Sequence, residues 1–359
     1  MAHPSLAQAR LRSQRIEAPH FRTPGDVTRW MGAIQAQDFA MSKWAMGLRM
    51  QNATDAAVEK AIARGEIIRT HVLRPTWHWV SAEDIRWMLA LTASRIRSSM
   101  GRRLRELELT PAVLLKSKTL LVNALTGGKH LGRYELTTAL RKARIRTDGN
   151  RLSHILFHAE LEALLCSGAT RSGHPTYALL DERVKGNAAF DRGEAAARLA
   201  DRYFTSRAPA TLLDFSWWSG LPLTDARRAL DMIRERFSSK TMGGHTYWFP
   251  ASFSFRPANR TSVFLLPAFD EFVISYRDRG AIFNRDDHTR AISSNGIFHP
   301  AIVIDGQVTG VWKRTVRGGR VIVETALLRP HTTRERSLTA EAARSFGAFL
   351  EKTAAVTTA

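Results

Sequence analysis

The sequence predicts an α+β protein, mostly helical, that turns to β-structure toward its C-terminus. Three observations carry this. Apolar residues recur at helical spacing through much of the chain up to about residue 250. Pairs of helical segments are followed, three times, by short runs rich in β-branched and aromatic residues. From Ser262 onward the apolar runs become strand-like and are joined by Asp-Gly and Gly-Gly turns.

The elements follow in order. Residues 6–16 read as a first helix. Thr23 caps the next, with Pro24 at its first position. Val27, Trp30, Met31 and Ile34 keep the helical period, so this helix is expected to end near Ile34 and run into Gln35. Thr54 and Asp55 open a third helix that runs to Arg64 and is closed by Gly65. The runs IIRTHVL (67–73) and TWHWV (76–80), separated by Arg74-Pro75, read as a hairpin. Helices followed by a two-stranded hairpin outline a winged helix, expected over residues 1–104.

A second such unit is expected over residues 105–185. It has a helix at 133–143, a helix at 152–165 ended by Gly168, and a wing at 169–180. Residues 181–192 read as a polar linker. A third unit is expected over 186–260, with TLLDFSWW (211–218), a Ser-Gly-Leu-Pro turn (219–222), a helix capped by Thr224, and the strand HTYWFP (245–250). A β-rich closing domain over 261–359 then ends in a helix at 339–355.

Composition narrows the function. There is no apolar run of roughly 18 residues, which excludes a simple transmembrane helix. The N-terminal stretch lacks the apolar core of a secretory signal. The single cysteine, Cys166, excludes an intrachain disulfide and a Cys-based zinc site; it reads as a small core residue in a reducing cytoplasm. Lys plus Arg number 53 against 33 acidic residues, a formal charge of +20. The excess is spread along a foldable sequence rather than gathered in a tail. That is the footprint of a protein that meets a polyphosphate such as duplex DNA, which a winged helix grips through one groove-lying helix and a basic wing.

Several motifs, in order, carry a family resemblance. Gln35-Ala36-Gln37 after an apolar helix is similar to the Gln–aliphatic–Gln signature of the winged-helix DNA glycosylases of the AlkZ/YcaQ type. RTHVLRPTWHWV (69–80), ATLLDFSWWSGL (210–221), LLPAFDEFVISYRDR (265–279) and GIFHPAIVIDGQVTGVWKR (296–314) resemble further stretches of that family. The match spans roughly residues 5–350. Gln at the motif's third position resembles the AlkZ-like branch; the other branch has Asp there. The resemblance implies three tandem winged-helix units in a C-shaped scaffold, with a basic concave face and a β-rich C-terminal part. It also implies excision of N7-alkylated purines from duplex DNA, including bulky adducts and interstrand crosslinks, by a monomer in the bacterial cytoplasm, associated with the nucleoid, without cofactor or metal.

The chemistry suits two amides. A guanine alkylated at N7 is already cationic, so no acid is needed to activate its departure. Water must be oriented and an oxocarbenium-like sugar stabilised. Amide oxygens can accept hydrogen bonds from that water, and their dipoles favour the developing cation. On a helix, residues i and i+2 point about 200° apart, whereas in an extended segment they share a face. The mechanism therefore expects extended backbone through Gln35 and Gln37, the candidate catalytic residues, with Asp38 turned away as a helix cap or ion-pair partner. Lys43, Arg69, His71, Arg74, His78, Arg141, Lys142 and Arg144 are candidates for DNA contact. Asp38, Trp44, Asp270 and Glu271 form a second tier of candidates for the lesion pocket. The alternative function is a winged-helix DNA-binding protein or regulator without catalysis.

Overall fold

The computed structural model describes residues 4–186, 190–255, 260–283 and 297–358. It contains two compact units: Met1–Val58 with Ala197–Ala359, and Glu59–Ala196. This partition is coarser than the four-part division expected from the sequence, and residues 1–104 contribute to both units.

The chain begins with α1 (Pro4–Ser13), α2 (Pro24–Met31), the two-residue β1 (Ile34–Gln35), α3 (Phe39–Gly47) and α4 (Asp55–Arg64). Thr23 caps α2 by accepting a hydrogen bond from the Asp26 N–H, as expected. The helix stops at Met31, short of the expected Ile34. Gly32 sits at φ 71°, a conformation that costs glycine little and ends the helix there.

In the second unit, β2 (Ile67–Val72) and β3 (Thr76–Ser81) form the expected antiparallel hairpin, with Arg69 opposite Trp79 and His71 opposite Trp77. Then follow α5 (Ile85–Ser99), α6 (Gly101–Glu106), α7 (Pro111–Leu125), α8 (Arg133–Lys142), α9 (Arg151–Leu161), β4 (Leu165–Ser167), β5 (Tyr177–Leu179) and α10 (Leu180–Arg183). The helix expected over 152–165 ends at Leu161 instead. Ala163 takes a left-handed φ of 56°, and the next residues pair as a strand with β5. Leu131, between α7 and α8, bridges Tyr177 of β5. Leu125, Leu136, Leu140, Ile155, Leu156 and Leu165 close the core behind these elements.

The chain continues through α11 (Arg192–Ser206), β6 (Ala210–Thr211), α12 (Leu212–Ser219), α13 (Leu223–Ile233), β7 (Phe237–Met242) and β8 (His245–Pro250). These strands make a sheet in the order β6-β8-β7. The order helix, short extended piece, helix, helix, hairpin thus recurs three times along the chain.

The C-terminal part is a five-stranded sheet, ordered β13-β12-β11-β10-β9. It comprises β9 (Val263–Leu266), β10 (Ala301–Ile304), β11 (Gln307–Arg317), β12 (Arg320–Leu327) and β13 (Thr353–Thr358), with the short α14 (Glu271–Ile274) and the long α15 (Thr333–Phe349). The last helix begins earlier than the expected residue 339, because Thr332 and Glu335 form a capping box. It also ends earlier, and the β-branched tail pairs in parallel with β12. Trp44 of α3 packs edge-on against Phe346 and beside Phe349 of α15, and Trp312 of β11 meets Phe346 from the sheet. Among the described residues no helix is long and apolar enough to cross a membrane.

Candidate active site

The segment carrying Gln35 and Gln37 starts where α2 breaks. A helix end leaves carbonyl oxygens without intrahelical partners. Here Arg207 supplies donors: its Nη1 donates to the Met31 carbonyl at 2.6 Å and its Nη2 to the Ala33 carbonyl at 2.8 Å. A cation beside a helix C-terminus also complements the helix dipole. On the other side, the Gln35 N–H donates to Glu271 Oε1 at 2.7 Å. Glu271 Oε2 accepts from Arg207 Nη2 at 2.7 Å, Trp218 Nε1 at 2.9 Å and Ser275 Oγ at 2.5 Å. The Arg207 guanidinium lies 4.2 Å from the Trp218 ring centroid. Both charged side chains have no exposure. Removing an ion pair from water costs several kcal/mol per ion unless geometry and further hydrogen bonds offset it, and this pair has both. One buried ion pair therefore grips the backbone on both sides of the motif's entry.

Gln35 is buried in extended backbone, and Gln37 is exposed at a bend. The helix does not continue through the pair, so the two amides are not separated by helical geometry. Yet Ile34, Gln35 and Ala36 are all buried. The alternation of a regular strand stops at Gln35, and the two amides differ in exposure. Asp38 turns into the N-cap of α3, where its Oδ1 accepts from the Met41 N–H at 3.0 Å. This is the capping role among its two expected roles.

The second-tier residues are mostly architectural. Asp270 is fully buried and makes a two-pronged pair with Arg49, with both contacts at 3.0 Å. Arg49 also donates to the Ala45 carbonyl at 2.7 Å and to Gln14 Oε1 at 2.8 Å. Phe269, at a left-handed φ of 58°, turns the chain so that two successive acids enter the interior. The lesion-pocket role expected for Asp270 and Glu271 gives way to these ion pairs. Trp44 donates through Nε1 to the Leu265 carbonyl at 2.8 Å and belongs to the core, not to a stacking platform. Lys43 corrects another expectation: it is buried, and its ammonium pairs with Asp55 at 2.8 Å. A lysine held this way is not displayed to a phosphate. Arg314, on β11, is a residue the sequence reading passes over. Burial lowers its pKa, while the nearby Asp38 and Asp55 carboxylates pull it back up.

In the second unit the hairpin residues expected to touch DNA are also largely internal. Arg69 is buried, with its guanidinium 4.1 Å from the Trp77 ring centroid, and its N–H donates to Ser167 Oγ at 2.8 Å. His78 has no exposure, and its Nδ1 lies 2.9 Å from the Thr76 carbonyl. His71 packs between Trp77 and Phe157, and its Nδ1 meets Glu160 Oε2. Burial, helped by the Arg69 charge, lowers the His71 pKa to about 3. Burial also lifts the Glu160 carboxyl well above its ordinary range, against the pull of Arg69 and Arg133. The contact has the shape of an ion pair, but burial penalises both charges, so the pair is neutral and holds one proton. Arg74 stays half-buried at the hairpin turn. Arg141, Lys142 and Arg144, at the end of α8 and just beyond it, are exposed; Arg141 Nε donates to Thr147 Oγ1 at 2.8 Å.

Sequence reasoning misses Arg207 and Glu160. Their signal is indirect: three acids, at 160, 270 and 271, sit in runs apolar enough to be buried, and a buried acid demands a partner.

Comparison with known proteins gives this geometry a family. A family model described as DNA glycosylase AlkZ-like matches residues 28–349. An interstrand DNA cross-link repair glycosylase of Streptomyces sahachiroi is 23% identical over 321 residues, 85% of each chain. The solved structure of Streptomyces sahachiroi DNA glycosylase AlkZ superposes with a TM-score of 0.79 at 18% identity, covering 100% of both chains. At that identity the superposition speaks for a shared fold.

Proposed function

The chain belongs to the family of AlkZ-like DNA glycosylases, and from that membership we propose that it hydrolyses the N-glycosidic bond of N7-alkylated purines in duplex DNA. The observation that carries this reading is the Gln35 to Gln37 segment, which lies in non-helical backbone gripped by a buried ion pair. Gln35 and Gln37 hold a water by their side-chain oxygens and orient it toward the anomeric carbon. The carbon–nitrogen bond breaks, and its electron pair neutralises the cationic base, which leaves. Water adds to the sugar cation and its spare proton goes to solvent. Neither amide accepts that proton, which restricts the enzyme to leaving groups already activated by alkylation. Glu271 is no substitute base, because it is fully buried and committed to donors on both oxygens.

The repeated element order supports a reading of the scaffold. We read it as three tandem winged-helix units, at 1–104, 105–185 and 186–260, with a closing β-rich domain at 261–359. The β6-β8-β7 sheet order and the Leu131 to Tyr177 bridge support this for the second and third units, since a short strand before the second helix then pairs with the outer wing strand. Arg141, Lys142 and Arg144 contact the phosphate backbone. The name of the Streptomyces relative, a cross-link repair glycosylase, supports extending the substrate to bulky adducts and interstrand crosslinks. A monomer acting on DNA in a bacterial cytoplasm, at the nucleoid, suffices for this chemistry.

The test is incubation with a duplex carrying one 7-methylguanine and, in parallel, one with an N7-linked interstrand crosslink. Free modified base and an alkali-labile abasic site are expected from at least one. Duplex binding without base release from either points to the non-catalytic DNA-binding alternative.

A further inference from the structure

We propose that Arg207 and Glu271 act as a positioning pair for the reaction: they fix the Gln35 backbone so that its side chain meets the water in a productive place. This rests on the reading of Gln35 and Gln37 as the water-holding pair.

The geometry is specific to the motif. Arg207 takes the Met31 and Ala33 carbonyls with two different nitrogens, and Glu271 takes the Gln35 N–H. Alternate backbone groups along five residues are thus tied to one ion pair. That pair is itself held by Trp218, by Ser275 and by the Ser206 hydroxyl, which lies 2.8 Å from Arg207 Nη1. Tyr276 closes the far side by donating its hydroxyl to the Arg207 carbonyl at 3.0 Å. Two residues of strand make few ladder hydrogen bonds, and the grip adds to them. A displacement of about 1 Å at a positioning group can cost about a hundredfold in rate, which makes such a grip matter to catalysis and not only to folding.

The same unit contains an internal control. Arg49 and Asp270 form an equally buried two-pronged pair, one residue away from Glu271 in sequence. Arg49 reaches the Ala45 carbonyl and the Gln14 side chain, where Arg207 reaches the carbonyls at 31 and 33. What differs is the target of the grip.

The experiment compares Arg207→Lys with Arg49→Lys, at a temperature where both are folded, by single-turnover release of 7-methylguanine and by duplex affinity. Both variants lose thermal stability. Arg207→Lys is expected to lose about tenfold or more in release rate, with duplex affinity within about threefold of wild type, while Arg49→Lys stays within about threefold in both. Amide hydrogen exchange at Gln35 should accelerate in Arg207→Lys and not in Arg49→Lys. Should Arg207→Lys fail to fold, Glu271→Gln at the other end of the pair is judged by the same thresholds. Equal rate losses in the two Lys variants, or a near-wild-type rate in Arg207→Lys, overturn the proposal. Gln35→Ala run alongside separates the two levels. If it still releases base, the reading of the amide pair fails; if it is dead while Arg207→Lys is active, positioning alone fails.

Discussion

Glu271 and Glu160 are both carboxylates without exposure, and each sits against a segment that carries residues singled out from the sequence. Their surroundings differ in donors. Glu271 receives a guanidinium, an indole N–H, a hydroxyl and a backbone N–H, which suits a charged carboxylate. Glu160 faces a neutral imidazole with one oxygen, and its Oε1 has no hydrogen-bond partner among the described residues. Burial then wins, and its carboxyl keeps a proton. The number and charge of donors, not burial itself, thus decide whether an interior acid can hold structure as an ion. An ionised, saturated carboxylate can clamp backbone; a half-satisfied one becomes a titrating group.

The largest effect expected from that contrast is that of Glu271→Ala. It leaves Arg207 buried and uncompensated, and is expected to cost about 3–5 kcal/mol in denaturant unfolding. Glu160→Ala removes a neutral partner and should cost less, about 1–3 kcal/mol. Equal costs would collapse the distinction.

The next effect is in pH. The folded pair of His71 and Glu160 holds one proton, while the unfolded chain titrates His71 near 6.5 and Glu160 near 4.5. Above pH 6.5 the unfolded chain has lost both protons and the folded pair retains one, so stability falls as pH rises toward the lifted Glu160 value, by up to about 1.4 kcal/mol per pH unit. Between 4.5 and 6.5 both states hold one proton and the pair contributes no slope. Below 4.5 the unfolded chain holds two, so stability falls on acidification until His71 titrates near 3. Glu160→Gln should abolish the alkaline-side loss and start the acid-side loss already at 6.5. Identical profiles for wild type and Glu160→Gln, from unfolding followed between pH 4 and pH 9, would show that the pair does not hold its proton.

The motif's first and third residues are legible in the sequence, and so is the need for non-helical backbone between them. What fixes that backbone is not legible, because Arg207 is remote in sequence and its partner Glu271 lies in an acid pair with no visible cation. The hairpin at 67–81 is readable from its β-branched and aromatic runs, but its Arg and His residues turn inward, since two aromatic rings and an interior acid are available to receive them. The tail strand β13 is masked by a helical pattern that runs on past Phe349. Gly32 and Ala163 move two helix ends through single residues at positive φ.

Smaller effects separate scaffold from chemistry. Asp38→Ala removes an N-cap and should cost about 1 kcal/mol, with base release close to wild type once folded. A large drop in release at unchanged stability would move Asp38 from cap to chemistry. Replacing Arg141, Lys142 and Arg144 with Ala should weaken duplex binding without altering the single-turnover rate at saturation. The slope of log affinity against log salt should fall by about 0.9 for each phosphate that is no longer neutralised. An unchanged slope would place DNA elsewhere on the surface.

Whether the two amides do the chemistry is decided by single-turnover release of 7-methylguanine from a duplex by wild type, Gln35→Ala and Gln37→Ala, with duplex affinity measured in the same buffer. Both substitutions are expected to reduce release by about a hundredfold or more, comparable to removing one preorganised polar group at other active sites, while affinity stays within about threefold. Wild-type release rates in both variants would show that the water is held elsewhere.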